Sequence, residues 1–265
     1  MLLASVATLT AKELSSQISV QNLIFLRMLI GSAFLLPAAV SQGSLINVNA
    51  LIKVSVLRGV FLLGVTALYF TALGATDAAL AATLFHTYPL LVFLVGSLIY
   101  RGGVSIVPLA LCGVSFVGVA LILGPHAAAG EIGAVFALAS AVLMSFRINL
   151  ERQLEFDLNP LQVLFFSSLA AAVMLVPFVD FGTLVPGTHT LLLIVLLSAA
   201  ATFSQLIALH LMALGEWKSV TVYAYAEIPF VLILSLLLFQ TSIAPMQAIG
   251  MVIVMAAGVI FVKAR

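Results

Sequence analysis

Apolar positions run through this chain in long stretches, broken at short intervals by clusters of charge, glycine and proline. With those clusters taken as breaks, the stretches fall near residues 1–11, 20–40, 54–74, 77–99, 104–124, 130–150, 160–180, 190–213, 219–239 and 243–262. All but the first hold about 20 residues or more, enough for an α-helix to cross roughly 30 Å of hydrocarbon. The pattern predicts an all-α polytopic membrane protein with ten transmembrane helices. Its first stretch is too short to span.

Composition agrees. Of 265 residues, 64% are hydrophobic and 7% charged, against about 25% charged in a soluble domain. The mean hydropathy is +1.31. A net charge of +1, with no basic tract or polar tail, argues against a nucleic-acid partner. The single cysteine, Cys112, excludes an internal disulfide and any cysteine-built zinc site, and its apolar setting fits inert packing. No motif calls for a cofactor.

Charge placement orients the chain. With a cytoplasmic N-terminus, the inner side receives Lys53, Arg58, Arg101, Arg147, Arg152, Lys218, Lys263 and Arg265, and the outer loops only Lys12. The positive-inside rule then places both termini in the cytoplasm.

The two halves repeat. "VQNLIFL" (20–26) lies over "LQVLFFS" (161–167), and "TALG" (71–74) over "MALG" (212–215), both at an offset of 141. "YPLLVFLVGSLIY" (88–100) follows "IPFVLILSLLLFQ" (228–240), and "PLALCG" (108–113) follows "PMQAIG" (245–250). Four matches in the same order indicate an internal repeat of 1–124 and 130–262, joined by "GPHAAAGE" (124–131). Five spans per half is an odd number, so the second half is inverted, a common plan among secondary transporters. The sixth span maps to a start about eleven residues before Met1, so roughly ten residues of the first helix are expected to be missing, by truncation or a different start site. A cleaved secretory signal is the rival reading, but "MLLASVATLTA" lacks the basic n-region such a signal needs.

The chain resembles the drug/metabolite transporter superfamily, EamA type, over essentially its whole length. The resemblance rests on Lys12 ending the first helix ("TAKELSS"), Arg27 in the second ("FLRMLIGSAFLLP") and the turn "TALGATDAALAATL" (71–84). It also rests on Pro89 and Pro229 near the middle of the fourth and ninth spans, and on a glycine-bearing last helix in each half. Members often carry a glutamate at the end of the fourth and ninth spans; here those places read "IYRGG" and "LFQTS". The resemblance implies an exporter of small metabolites, amino acids among them, with a central cavity lined mainly by the third, fourth, eighth and ninth helices.

Two polar residues stand out by depth. Glu227 is nine residues past Lys218, and His86 nine past Asp77, so both lie about 13 Å into the core, near its middle. An unpaired carboxylate there costs several kcal/mol. The two precede Pro229 and Pro89, each of which lacks an amide hydrogen and frees a carbonyl one turn earlier, on Tyr225 and Phe85. Loosened backbone survives in a membrane only against protein or a watery cavity. Glu227 and His86 are therefore the leading substrate-binding candidates, the first for a substrate ammonium or a proton, the second as a hydrogen-bond donor or titrating group. The plainer alternative is an interhelical hydrogen bond worth ~1 kcal/mol.

Tyr69, Thr83, Phe85, Thr87, Tyr223 and Tyr225 form a second tier that could supply an apolar pocket with a few oriented hydroxyls, packing being the ordinary role for any one of them. Gln205 is a further candidate, and His210 reads as interfacial. Arg27 either snorkels outward or meets an anionic substrate group. Arg147, Glu151, Arg152, Glu155 and Asp157 read as a solvated inner loop with i,i+4 pairs, and Trp217 as an interface anchor.

The function expected is secondary transport, by alternating access around a midplane cavity in the cytoplasmic (inner) membrane. Its partners would be a small-molecule substrate, protons and the lipid bilayer, and five helices per half can form a pathway in a monomer. A lipid or lipid-linked sugar flippase of the same superfamily is the alternative. A membrane-embedded enzyme is a weaker one: the sequence has no H-E-x-x-H, no G-x-S-x-G and no phosphate-binding loop.

Overall fold

The computed structural model describes residues 2–41, 48–99, 106–123, 132–153, 158–184, 186–214, 217–240 and 243–263. Among them the chain forms α1 (Leu2–Leu14), α2 (Val20–Ser41), α3 (Val48–Ala75), α4 (Ala78–Phe85), α5 (Tyr88–Ile99) and α6 (Ile106–Leu123). There follow α7 (Ile132–Gln153), α8 (Pro160–Leu175), α9 (Thr188–Ala213), α10 (Trp217–Phe239) and α11 (Pro245–Lys263), with 3-10 turns at Val176–Phe178 and Phe181–Thr183. No strand occurs among the described residues. Helix is what hydrocarbon allows, because it satisfies each backbone N–H and C=O within the segment.

Six described helical stretches are long and apolar enough to cross a membrane, starting at Val20, Asn49, Ala78, Ile132, Pro160 and Thr188. Shorter apolar helices cover Leu109–Ile122, Glu227–Phe239 and Pro245–Ile260. These helices are apolar on both faces. On α9, Leu192, Leu196, Phe203 and Ile207 are exposed, while Ile194, Leu197, Ser198 and Ala201 are buried. The lipid-facing side is as greasy as the interior, and the interior differs by holding smaller and more polar residues, as membrane helix packing requires.

Each helix has a definite set of neighbours. α3 packs on α7 and α8, and α9 on α1 and α2; α2 also packs on α8, α4 on α7 and α10, and α6 on α11. Helix starts follow local chemistry: the Asn159 side chain accepts from Leu161 N at 2.9 Å, with Pro160 opening α8, where the missing proline N–H is not needed.

The stretch expected as one span over 77–99 is two helices. α4 ends at Phe85, His86 and Thr87 form a turn, and Pro89 sits in the first turn of α5. The expectation for Pro229 is corrected, because α10 runs unbroken from Trp217 to Phe239 with Pro229 inside it. A proline in a helix removes one hydrogen bond and need not end the helix when packing holds the rest in place.

One end of the bundle is tied by polar contacts. Lys12 Nζ donates to the Leu73 and Thr76 carbonyls at 2.8 and 2.9 Å, capping the C-terminus of α3. Asn22 Nδ2 donates to the Asp180 carbonyl at 3.0 Å and accepts from Asp180 N through its Oδ1 at 3.0 Å. Thr190 donates to Gln17 at 2.9 Å. Below these contacts Ala78–Ala82 are all buried in the main core.

α6 and α11 cross with almost no space between backbones. A Cβ added at Gly250 would sit 2.6 Å from the Gly118 carbonyl oxygen and 2.9 Å from Ile122 N. Neither atom can swing aside, so Gly250→Ala is expected to lower stability by about 1–3 kcal/mol, the usual cost of overpacking. Gly113→Ala, whose added carbon meets nothing within 4 Å, serves as the control. Thermal melting of both variants in detergent checks this: a fall for the Gly250 variant alone is the expected result.

Candidate functional site

A cavity of about 190 Å³ lies between α1, α2, α3, α4, α7, α9 and α10. That is below the roughly 300–1,000 Å³ of pockets for drug-sized ligands, and suits a small metabolite. Its walls are largely apolar, from residues such as Ala7, Leu62, Phe70 and Leu197, and three charged side chains reach it: Arg27, Arg147 and Glu227.

Glu227 is buried at 8% exposure and held from two sides. Thr8 Oγ1 donates to its Oε1 at 3.0 Å, and the His86 Nε2 stands 3.4 Å from its Oε2. Thr8 has one hydroxyl hydrogen. With that hydrogen on Glu227, the 3.3 Å contact between Thr8 Oγ1 and the Tyr69 hydroxyl has Tyr69 as donor. The chain Tyr69→Thr8→Glu227 thus links α3, α1 and α10.

His86 fixes where a proton must lie. Its Nδ1 is 2.7 Å from the Ala82 carbonyl, which can only accept, so Nδ1 carries a hydrogen. In a neutral ring Nε2 is then a bare lone pair, and it faces a Glu227 carboxyl oxygen at 3.4 Å. The helix break sets up this arrangement, since the turn at His86–Thr87 carries the ring from the end of α4 toward α10.

The remaining candidates are distributed as follows. Tyr69, Phe85 and Gln205 line the cavity beside Glu227. Tyr69 and Phe85 stack with ring centroids 4.7 Å apart, and Phe85 also contacts Tyr88 at 5.4 Å. Thr83 is fully buried and donates to the Ala79 carbonyl one turn back at 2.7 Å. Thr87 donates to the Leu84 carbonyl at 2.8 Å and lines a separate void of about 10 Å³ with Leu90, Leu91, Ser115 and Phe116. Neither threonine is among the residues lining the large cavity. The side chains of Tyr223, Tyr225, Trp217, Cys112, Arg152, Glu155 and Asp157 lie outside the described residues. His210 is exposed near the end of α9.

The expected solvated loop at Arg147 and Glu151 is corrected. α7 continues to Gln153, and both residues are buried on it. Glu151 Oε1 lies 2.6 Å from Arg58 Nη1 on α3 and 3.1 Å from Arg147 Nε one turn away. Arg58 is interior because α3 begins at Val48, not near residue 54. Sequence reading also missed Thr8, Thr66, Ser204 and Tyr88, which are common residues in apolar helices and carry no signal of their own. For the Arg58–Glu151 pair a signal existed: each charge has long apolar stretches on the helix behind it.

The chain belongs to the EamA-like transporter family, whose profile matches residues 1–124 and 131–263. Its apolar helices make it an integral membrane protein. Over 129 residues it is 26% identical to the uncharacterized transporter YxxF of Bacillus subtilis (strain 168), a match spanning 47% of this chain and 41% of that relative. A crystal structure of another protein superposes with a TM-score of 0.67 at 20% identity, over 99% of this chain and 95% of that one. That likeness bears on the fold alone.

Removing Glu151's charge would leave two guanidinium groups buried without a counter-ion. Breaking a buried pair on one side costs about 3–5 kcal/mol, so Glu151→Gln is expected to unfold at markedly lower denaturant than the parent protein. Equilibrium unfolding in mixed micelles measures this, and an unchanged midpoint would contradict the pairing.

Proposed function

We propose that the protein is a gradient-driven exporter of small metabolites, amino acids being the class its family resemblance implies, with Glu227 and His86 at the centre of the pathway. The observation that carries this reading is one buried carboxylate that both lines the cavity and stands 3.4 Å from a histidine nitrogen. A proton passing through the pair, or a solute ammonium taken up beside Glu227, couples solute movement to a gradient. Tyr69, Phe85 and Gln205 act as wall residues, with Thr83 and Thr87 bonded to the carbonyls of α4 behind them; Tyr223 and Tyr225 remain candidates for the same wall.

Alternating access follows from a two-half architecture, 1–124 and 130–262, with ten spans in inverted halves. Helix pairing supports it. Exchanging the halves maps the α3 contacts with α7 and α8 onto the α9 contacts with α1 and α2, and α2–α8, α4–α10 and α6–α11 onto themselves. The family profile likewise matches in two blocks. For orientation, buried Arg58 and Arg147 no longer count as loop charges. Lys53, Arg101, Arg152, Lys218, Lys263 and Arg265 still oppose Lys12 alone, so both termini face the cytoplasm and the membrane is the inner one. The end tied by Lys12 and Asn22 is then the outer end.

Uptake of a labelled amino-acid mixture into proteoliposomes under an imposed pH gradient tests the reading. The parent protein is expected to accumulate label, and folded Glu227→Gln to do so at least tenfold more slowly. Equal rates would make Glu227 a structural clip between α1, α4 and α10.

A further inference from the structure

The cavity has a second pole that the Glu227 reading does not use. Arg27 on α2 and Arg147 on α7 both line it, and both are more than nine-tenths buried. Arg27 is poorly matched where it stands. Its Nη1 reaches only the weak acceptor Met28 Sδ at 3.4 Å, its guanidinium carbon lies 5.9 Å from the Phe70 ring centroid, and its buried Nε has no hydrogen-bond partner among the described residues. A guanidinium carries five N–H donors and no acceptor, so Arg27 lines the cavity with donor capacity that the described residues leave unmet.

Charge balance points the same way. Among the described residues three arginines are buried, Arg27, Arg58 and Arg147, against two glutamates, Glu151 and Glu227. Glu151 is shared by Arg58 and Arg147, and Glu227 is already met by Thr8 and His86. The excess is positive and sits on the arginine side of the cavity, where Arg27 and Arg147 repel each other. In a low-dielectric interior such an excess calls for an anion, and the planar guanidinium fork matches a carboxylate in particular.

We infer that Arg27 and Arg147 form a carboxylate-binding subsite across the cavity from Glu227, and that the transported solute is an organic carboxylate with a compact apolar body. The apolar body packs among Leu62, Phe70 and Leu197, and the carboxylate is obligatory while an ammonium is optional. An amino acid fits as one member, its ammonium lying against Glu227. This inference rests on the proposed transport through the same cavity but makes a separable claim, because the arginine pole does not depend on what Glu227 does.

Three probes with the same phenyl body separate the charges: phenylacetate (anion), phenylalanine (zwitterion) and phenethylamine (cation). Binding to the purified full chain in detergent is measured by isothermal titration calorimetry. Both carboxylates are expected to bind at least tenfold more tightly than phenethylamine. Arg27→Gln and Arg147→Gln should each weaken phenylacetate at least tenfold, and Arg27→Lys, which keeps the charge and loses the fork, should weaken it less. Circular dichroism and size exclusion check folding, and Arg27→Lys against Arg27→Gln remains informative if the Arg147 variant does not fold. The inference is overturned if phenethylamine binds as tightly as phenylacetate, if the arginine variants keep parental affinity, or if neither carboxylate binds the parent chain. Glu227→Gln should still bind phenylacetate; if it also transports normally, the role proposed for Glu227 fails and the carboxylate subsite stands.

Discussion

Hydrocarbon offers an ion no water, so every charge inside this bundle must be answered by another protein group. Moving a carboxylate or guanidinium into such a medium costs several kcal/mol even after relaxation, and that penalty governs the interior. Glu151 meets it by lying between Arg58 and Arg147, which sets α3 and α7 at a fixed height against each other. Ser140 adds a hydrogen bond to the Val65 carbonyl at 2.9 Å along the same interface. Glu227 meets it with Thr8 and His86, which draws α1 and α4 onto α10. Arg27 is the residue for which the described protein offers no full answer.

The bundle treats its two poles differently. At the end marked by Lys12, Asn22 and Asp180 the contacts are hydrogen bonds to backbone carbonyls and amides, those of the Lys12 ammonium being charge-assisted, beside the buried, alanine-rich stretch 78–82. In the middle the contacts involve charge and exclude most water, so they are harder to break without a replacement ligand.

The break in the fourth apolar stretch connects fold to chemistry. Pro89 cannot donate a hydrogen bond, and the chain responds three residues earlier by ending α4 and turning through His86 and Thr87. The turn keeps the His86 Nδ1 on the Ala82 carbonyl, which fixes the hydrogen on that nitrogen and leaves Nε2 to meet Glu227. α10 carries its own proline without breaking. The two stretches resemble each other in sequence, yet one supplies a histidine at a helix break and the other a carboxylate on a continuous helix.

Much of this was legible in the sequence alone. Long apolar runs dictate helices, because nothing else satisfies a backbone in lipid, and the breaks between runs mark where most helices start and stop. Counting residues singled out Glu227 and His86 as polar groups deep in apolar stretches, and the resemblance to EamA-type transporters was carried by local motifs; that the two meet each other came from the structure. What only the tertiary structure decided was which charges are interior. Arg58, Arg147 and Glu151 sit within a few turns of helix ends, where a linear count cannot tell a solvated charge from one swallowed by a neighbouring helix. Thr8 matters only because α1 lies against α10. Burial depends on what packs alongside, and that is a property of contacts between residues 90 to 220 positions apart in the chain, to which no local pattern has access.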